Sequence, residues 1–172
     1  MARSFNRQML HTIIAEKLYD QQYVEGFTEG FAFPPFALQM ATIDRLVALR
    51  PQEIQVGLLK RLRGTPIIRH TAPFDLRFSP DAPYEILANN TIDFKDMQRM
   101  SRFARYWDLV ANSGRFGHTL PLLLQDAPFE RFMHFADWLY ATTGKTHQLA
   151  LERLFDLIHD YLTQALAANA AL

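Results

Sequence analysis

The chain has 172 residues, a length that suits one domain, or one domain with a piece of another. Its eighteen basic and eighteen acidic side chains cancel, so no net field attracts nucleic acid or an anionic membrane. There is no cysteine, which excludes disulfides, thiolate catalysis and cysteine-ligated zinc or iron–sulfur sites, and is compatible with a reducing cytosol. We therefore expect a cytoplasmic protein with no cofactor of its own, no nucleic-acid partner and no membrane partner.

The first 36 residues divide into a helical stretch and an aromatic stretch. Apolar side chains recur at helical spacing after Ser4, and Glu16 and Asp20 interrupt them before a signal peptide or membrane span could form. Residues 23–36 read YVEGFTEGFAFPPF, in which glycines and prolines interrupt regular structure. This pattern predicts a helix followed by an aromatic loop that another surface must cover.

A short α/β unit is predicted next. Apolar residues from Leu38 to Leu49 define a helix that ends near Arg50, because a proline at position 51 disfavours the helical conformation in the residue before it. Residues 54–58 alternate apolar and polar or small side chains, which is typical of a strand, and residues 64–66 form a Gly-Thr-Pro turn. Three prolines come next, at positions 73, 80 and 83. Because they forbid a helix, residues 74–87 are predicted to be an edge strand or an irregular arm.

The remainder of the chain is predicted to be helical. Asp93 caps a helix whose apolar stripe includes Phe94 and Trp107, with Arg102 on the opposite side. Further helices are expected over residues 115–125, from Pro128, and after Thr146 as the cap of the last helix. The predicted fold is mainly α, a helical bundle with a small, partial barrel-like α/β portion. The predicted divisions are 1–67 for the α/β piece, 68–91 for a proline-rich connector and 92–172 for the helical domain.

No catalytic or metal-binding motif is found. Residues 144–146, Gly-Lys-Thr, lack the glycine and the strand that a phosphate-binding loop requires, so Gly144 is interpreted as a helix stop. No two of the six histidines stand three or four residues apart, as they would on one metal-binding helix face. No spacing in the sequence places two carboxylates side by side, as general acid–base catalysis by a carboxylate pair would require, so no catalytic residue is named.

Two basic groups stand out. Arg99, Arg102 and Arg105 lie along one side of a helix beside aromatic residues, and we favour a solvated face with local ion pairs over a nucleic-acid stripe. The denser cluster comprises Lys60, Arg61, Arg63 and Arg69. It could clamp a carboxylate or a phosphate, since arginine matches these anions bidentately, and a solvated loop fits the pattern equally well.

Three segments carry a resemblance to a known family. They are IQVGLLKRLRGTPI at 54–67, PYEIL at 83–87 and RFARYWDLVANSGRF at 102–116. In this order and at these separations they resemble the C-terminal part of cobalamin-binding radical S-adenosylmethionine proteins. The resemblance covers roughly residues 36–166. It implies a late strand and loop of a partial barrel, followed by a helical domain of unknown function.

The resemblance also implies what the chain lacks. Family members bind cobalamin in an N-terminal domain and hold an iron–sulfur cluster on a CxxxCxxC motif, where S-adenosylmethionine is cleaved. A chain without cysteine cannot hold that cluster, so we expect a non-catalytic accessory domain or fragment, inactive alone, whose partners are the barrel and cobalamin domains or another protein. An independent helical protein-interaction domain is the alternative. The residues expected to face a substrate or partner are Gln55, Lys60, Arg63, Thr65, Tyr84 and Arg115.

Overall fold

The structure is a computed structural model and describes residues 36–170. Within these residues lie five α-helices, one 3-10 helix and one sheet of two short strands. The predictions for residues 1–35, a helix after Ser4 and most of the aromatic loop, lie outside the described residues. The predicted class, mainly α with a small α/β part, is confirmed.

Most elements follow one another with short connections, and a longer one, residues 49–65, joins the first helix to the 3-10 helix. In chain order they are α1 Phe36–Ala48, the 3-10 helix Pro66–His70, β1 Arg77–Phe78, β2 Ile86–Ala88, α2 Phe94–Val110, α3 Leu120–Leu124, α4 Pro128–Thr143 and α5 Leu151–Ala170. The two strands pair antiparallel. The bundle therefore forms from the second half of the described chain, with α1 and the small sheet contributed by the first half.

Local signals account for several helix ends. The Asp93 carboxylate accepts a hydrogen bond from the Asp96 N–H at 2.8 Å, so the predicted cap of α2 is confirmed. Gly144 ends α4 in the left-handed conformation, with φ 64°, and its N–H donates to the Tyr140 carbonyl. Pro128 occupies the first turn of α4, where its missing N–H costs no hydrogen bond.

Two predicted helix boundaries are wrong. The last helix begins at Leu151 and not at Thr146, whose carbonyl instead accepts a hydrogen bond from the Arg105 side chain. The helix expected over residues 115–125 is limited to Leu120–Leu124, and the residues before it form turns. In both places the chain is held by contacts with other elements, which a local pattern does not reveal.

The main core is built from aromatic side chains of α2 and α4. Phe103 and Trp107 stack at 5.4 Å between ring centroids, and the Phe132 ring meets both of them edge-on. Phe135 and Leu139 extend this core and are fully buried. Aromatic rings bury large areas and favour such edge-to-face contacts, so this cluster supplies much of the bundle's hydrophobic stabilisation.

Helix α1 packs onto the same core. Ile43 is buried in it, and the Asp44 carboxylate accepts a hydrogen bond from the Phe129 N–H at 2.7 Å. A carboxylate at the first turn of α4 accepts from an amide that precedes the helix's own hydrogen bonds, and it faces the positive end of the helix dipole. The first helix of the described chain is thus joined to the bundle through both its apolar face and this polar contact.

A second, smaller core lies beneath the sheet. Its buried members are Leu76, Ile86, Ile92 and Met97. Leu58 and Leu59 pack against it, while Ile54 and Val56 pack against the main core. Residues 54–59 therefore connect the two cores.

Candidate functional site

The segment of residues 54–62 contains no regular strand, although the alternation at residues 54–58 predicted one. Residues 54–59 belong to no strand, and the only ladder contact in this segment is an isolated bridge between Lys60 and Glu85. The pairing is antiparallel. The half βαβ unit expected from the sequence therefore does not form a parallel sheet within the described part of the chain.

One end of this segment is fixed to the bundle. The Ile54 N–H donates to Asn112 Oδ1 at 3.1 Å, and Asn112 Nδ2 donates back to the Ile54 carbonyl at 3.1 Å. Asn112 follows the C-terminus of α2, one residue beyond the C-cap Ala111. The side-chain amide thus imitates a strand neighbour and satisfies both backbone groups of one residue.

The other end of the segment pairs with residues 84–86 beside the sheet. The Arg61 N–H donates to the Tyr84 carbonyl at 3.0 Å, and the Ile86 N–H donates to the Leu59 carbonyl at 2.9 Å. Residues 84–86 are also bound on their opposite side, where the Ser79 N–H donates to the Glu85 carbonyl at 2.8 Å. Residues 59–61 are therefore an edge of the sheet.

The outer side of this edge is unpaired. Backbone groups of successive strand residues point to opposite sides, so those of Leu58 and Lys60 point away from the sheet when those of Leu59 and Arg61 point into it. Within residues 36–170, neither Leu58 nor Lys60 makes a backbone hydrogen bond. We call these outward-pointing groups of Leu58 and Lys60 the free edge.

The loop after the free edge is basic and apolar. Arg61 and Arg63 are exposed, and two large apolar side chains reach into solvent, Leu62 at 56% and Ile68 at 66% exposure. The predicted turn is confirmed, because the Thr65 N–H and hydroxyl both donate to the Leu62 carbonyl. This combination presents cations and apolar surface together at the end of the sheet.

The six predicted site residues do not form one site. Lys60 and Tyr84 lie close together, because the Arg61 N–H donates to the Tyr84 carbonyl, and Lys60 Nζ is 3.5 Å from the Glu85 carboxylate. Thr65 is used by the turn and Arg63 is exposed beside it. Gln55 and Arg115, both exposed, lie instead near the Asn112 end of the segment. The assignment of these residues to a substrate or partner stays a prediction.

The arginines of α2 form ion pairs, as favoured from the sequence. Arg99 donates to Asp137 Oδ2 from Nη2 at 2.7 Å and from Nε at 3.0 Å, and it also contacts Asp96. The hydrogen bonds that Arg99 donates to Asp137 raise the pKa of Arg99. Arg105 lies 3.7 Å from Asp108. These cations are matched by carboxylates, so this face offers little to a polyanion.

Arg102 differs from its expected position. Its side chain is only 21% exposed, and its guanidinium lies 4.6 Å from the centroid of the Tyr140 ring and 3.7 Å from Asp137. The expectation that Arg102 lies on the open side of α2, opposite Trp107, is therefore wrong. Arg102 is part of the contact between α2 and α4, where a cation over an aromatic ring is stabilising.

Titratable groups elsewhere are dispersed. In the described residues no three histidine, aspartate or glutamate side chains stand close enough to hold a metal ion. His134 Nδ1 is 2.8 Å from the Tyr161 hydroxyl, which gives this histidine a structural contact, and burial raises the pKa of Tyr161. No helix over these residues is long and apolar enough to cross a membrane.

Comparison with known proteins identifies one family. A family model described as "Protein of unknown function (DUF4080)" matches residues 72–171, more than half of the chain. No curated protein and no solved structure matches the chain significantly. The matched residues contain the two strands and helices α2 to α5, whereas α1 and the free edge precede them. The predicted divisions at residues 67 and 92 stay predictions.

Proposed function

The chain belongs to the DUF4080 family. From the resemblance of residues 54–67, 83–87 and 102–116, together with the unpaired sheet edge, we propose that it is a non-catalytic accessory domain of a cobalamin-dependent radical S-adenosylmethionine enzyme. In this proposal the helical bundle is the accessory domain, and the segment of residues 54–62 contributes a wall to a barrel completed by other polypeptide. The protein acts in the cytoplasm and is inactive alone.

One observation carries the proposal. Residues 54–62 are fixed at both ends and half-buried at Ile54, Val56, Leu58 and Leu59, yet only residues 59–61 have a backbone neighbour, and on one side only. An extended edge with free backbone groups is a ready template for pairing, and native proteins usually cover such edges. A missing strand from the catalytic portion of an enzyme would provide this cover.

The residues present do not fit the cofactors of that enzyme class. The sequence has no cysteine for an iron–sulfur cluster, and no alternative group of ligands assembles in the described residues. Cluster, S-adenosylmethionine and cobalamin are accordingly assigned to the partner polypeptide. No chemical step is assigned to a residue of this chain.

The test is complex formation with a radical S-adenosylmethionine protein of the same organism that carries the CxxxCxxC motif. After anaerobic reconstitution, we expect a one-to-one complex in sedimentation velocity, with iron and S-adenosylmethionine bound by the partner only. The proposal is wrong if no complex forms at about 100 μM of each protein, a concentration at which even weak association is visible. It is equally wrong if this chain alone takes up stoichiometric iron.

A specific observation favours a second candidate, an independent helical protein-interaction domain. The bundle closes its main core with residues of its own, while Leu151 and Phe155 on α5 remain 42% and 47% exposed. Exposed apolar residues on one helix are suited to binding a partner helix. Replacement of both by serine would abolish association in this second candidate and leave the barrel complex unchanged.

A further inference from the structure

We propose that the free edge at Leu58 and Lys60 binds, by strand addition, an extended segment of a partner polypeptide in which acidic side chains alternate with apolar ones. The inference rests on the proposed function for the nature of the partner, a polypeptide, and it specifies the chemistry of the segment that is recognised.

The backbone geometry provides the first argument. The inner side of residues 59–61 makes two hydrogen bonds with residues 84–86, at 2.9 and 3.0 Å, so the conformation needed for pairing already exists. The amides and carbonyls of Leu58 and Lys60 are therefore held in the orientation that an added strand requires. Main-chain hydrogen bonds would supply affinity without requiring a particular sequence.

The side chains provide the second argument. Alternate residues share one face, so Leu58, Lys60 and Leu62 form a row with the order apolar, basic, apolar. Side chains directly opposite one another in paired strands interact, and opposite charges are favourable there. The complementary row on an added strand is apolar, acidic, apolar. Its acidic residue would lie on the far side of Lys60 from Glu85, which is already 3.5 Å from the ammonium group.

The side chains on the other face of the edge also favour an acidic partner segment. Arg61 and Arg63 are exposed, and neither forms an ion pair with a carboxylate among residues 36–170. Arg61 contacts only the Phe78 ring, at 5.5 Å, whereas Arg99 on the bundle is fully matched by Asp137 and Asp96. The basic edge also disfavours a second copy of this chain, because two such edges would place like charges opposite each other.

The experiment measures binding of a synthetic nine-residue peptide to the full chain. Valine and glutamate alternate on the face of the peptide that meets Leu58, Lys60 and Leu62, and glutamate also occupies the positions between that lie opposite Arg61 and Arg63. We expect saturable binding by fluorescence anisotropy that weakens with salt. We also expect the Leu58 and Lys60 amides to exchange with solvent at least about tenfold more slowly when the peptide is bound.

Four controls define the recognition. A peptide with lysine in place of glutamate should bind at least about tenfold more weakly, as should the charge-reversed protein Arg61→Glu/Arg63→Glu. The variant Arg131→Glu/Arg153→Glu makes the same charge change at exposed positions on α4 and α5 and should bind like the original. A peptide N-methylated at residues whose N–H groups face the edge should not bind.

Several outcomes overturn the proposal. Equal binding of the acidic and basic peptides would show that charge does not determine recognition. Slower amide exchange only outside residues 58–60 would show that the peptide binds elsewhere than at the free edge. Slow exchange of the Leu58 and Lys60 amides without peptide would show that the edge is covered by this chain's own residues 1–35, or by a second copy if the protection rises with protein concentration. If the barrel complex forms while the peptide does not bind, only this inference fails; if the peptide binds and no complex forms, only the proposed function fails.

Discussion

Replacement of Trp107 tests the central packing of the bundle. The side chain is 2% exposed and lies between the Phe103 ring at 5.4 Å and the Phe132 ring at 4.9 Å. Truncating a buried aromatic to alanine typically costs about 3–5 kcal/mol. The indole Nε1 is buried without a hydrogen-bond partner in the described structure, and an unpaired buried donor costs about 1–3 kcal/mol. Trp107→Ala removes that penalty too, so we expect a loss near the lower limit, about 3 kcal/mol.

Two further variants isolate these contributions in urea unfolding followed by circular dichroism. Trp107→Phe keeps an aromatic ring and removes the unpaired donor, so we expect a loss below about 1.5 kcal/mol. Phe94→Ala truncates an aromatic on the same helix that is 56% exposed, and should cost less than about 0.5 kcal/mol. Equal losses for Trp107→Ala and Phe94→Ala would refute the assignment of the buried face. A loss for Trp107→Phe as large as for Trp107→Ala would show that the indole N–H is paired.

Three other predictions concern polar groups. Asp93→Ala should cost about 1 kcal/mol in urea unfolding through loss of the α2 cap, and Asp93→Ser should restore most of it. A double-mutant cycle of Arg99→Ala and Asp137→Ala should give a coupling of up to about 1 kcal/mol that decreases in 1 M salt, since the pair is partly exposed; a coupling unchanged by salt would contradict this. Because burial raises the pKa of Tyr161, the unfolded chain loses this proton first as the pH rises, so stability should fall above pH of about 10 and Tyr161→Phe should lessen the fall; a parallel decline in both proteins would count against it.

Helices with strong local signals are predictable from the sequence. Asp93 and Gly144 mark the start of α2 and the end of α4 because each satisfies backbone groups within a turn of itself. The start of α5 was missed for a different reason. The Tyr106 hydroxyl and the Arg105 side chain bind the carbonyls of Lys145 and Thr146, and so hold the chain against α2 before the last helix begins. Such contacts link residues about forty positions apart and leave no local periodicity.

The extended segment shows the same limit for the candidate site. Alternation at residues 54–58 predicted a strand, which does not form there, because alternation does not reveal the hydrogen-bond partners that a strand needs. The actual partners are the Asn112 side chain at one end and residues 84–86 at the other. Lys60 was selected from its charge and position after the apolar run, whereas Leu58 was missed because its role depends on a backbone direction.

Anchoring at both ends has an energetic consequence for recognition. A free strand that orders on binding loses backbone entropy equivalent to about 1–2 kcal/mol per residue. Residues 54–62 have largely lost this freedom already, because Asn112 fixes Ile54 and the sheet fixes residues 59–61. The entropy is offset by burial of Ile54 and Val56 against the main core and of Leu58 and Leu59 against the smaller one. An added strand therefore bears only its own ordering cost, and preorganisation of this kind increases affinity without any additional contact. The bundle thereby holds the edge in its pairing conformation, which links the stability of the family domain to recognition at a segment that precedes it.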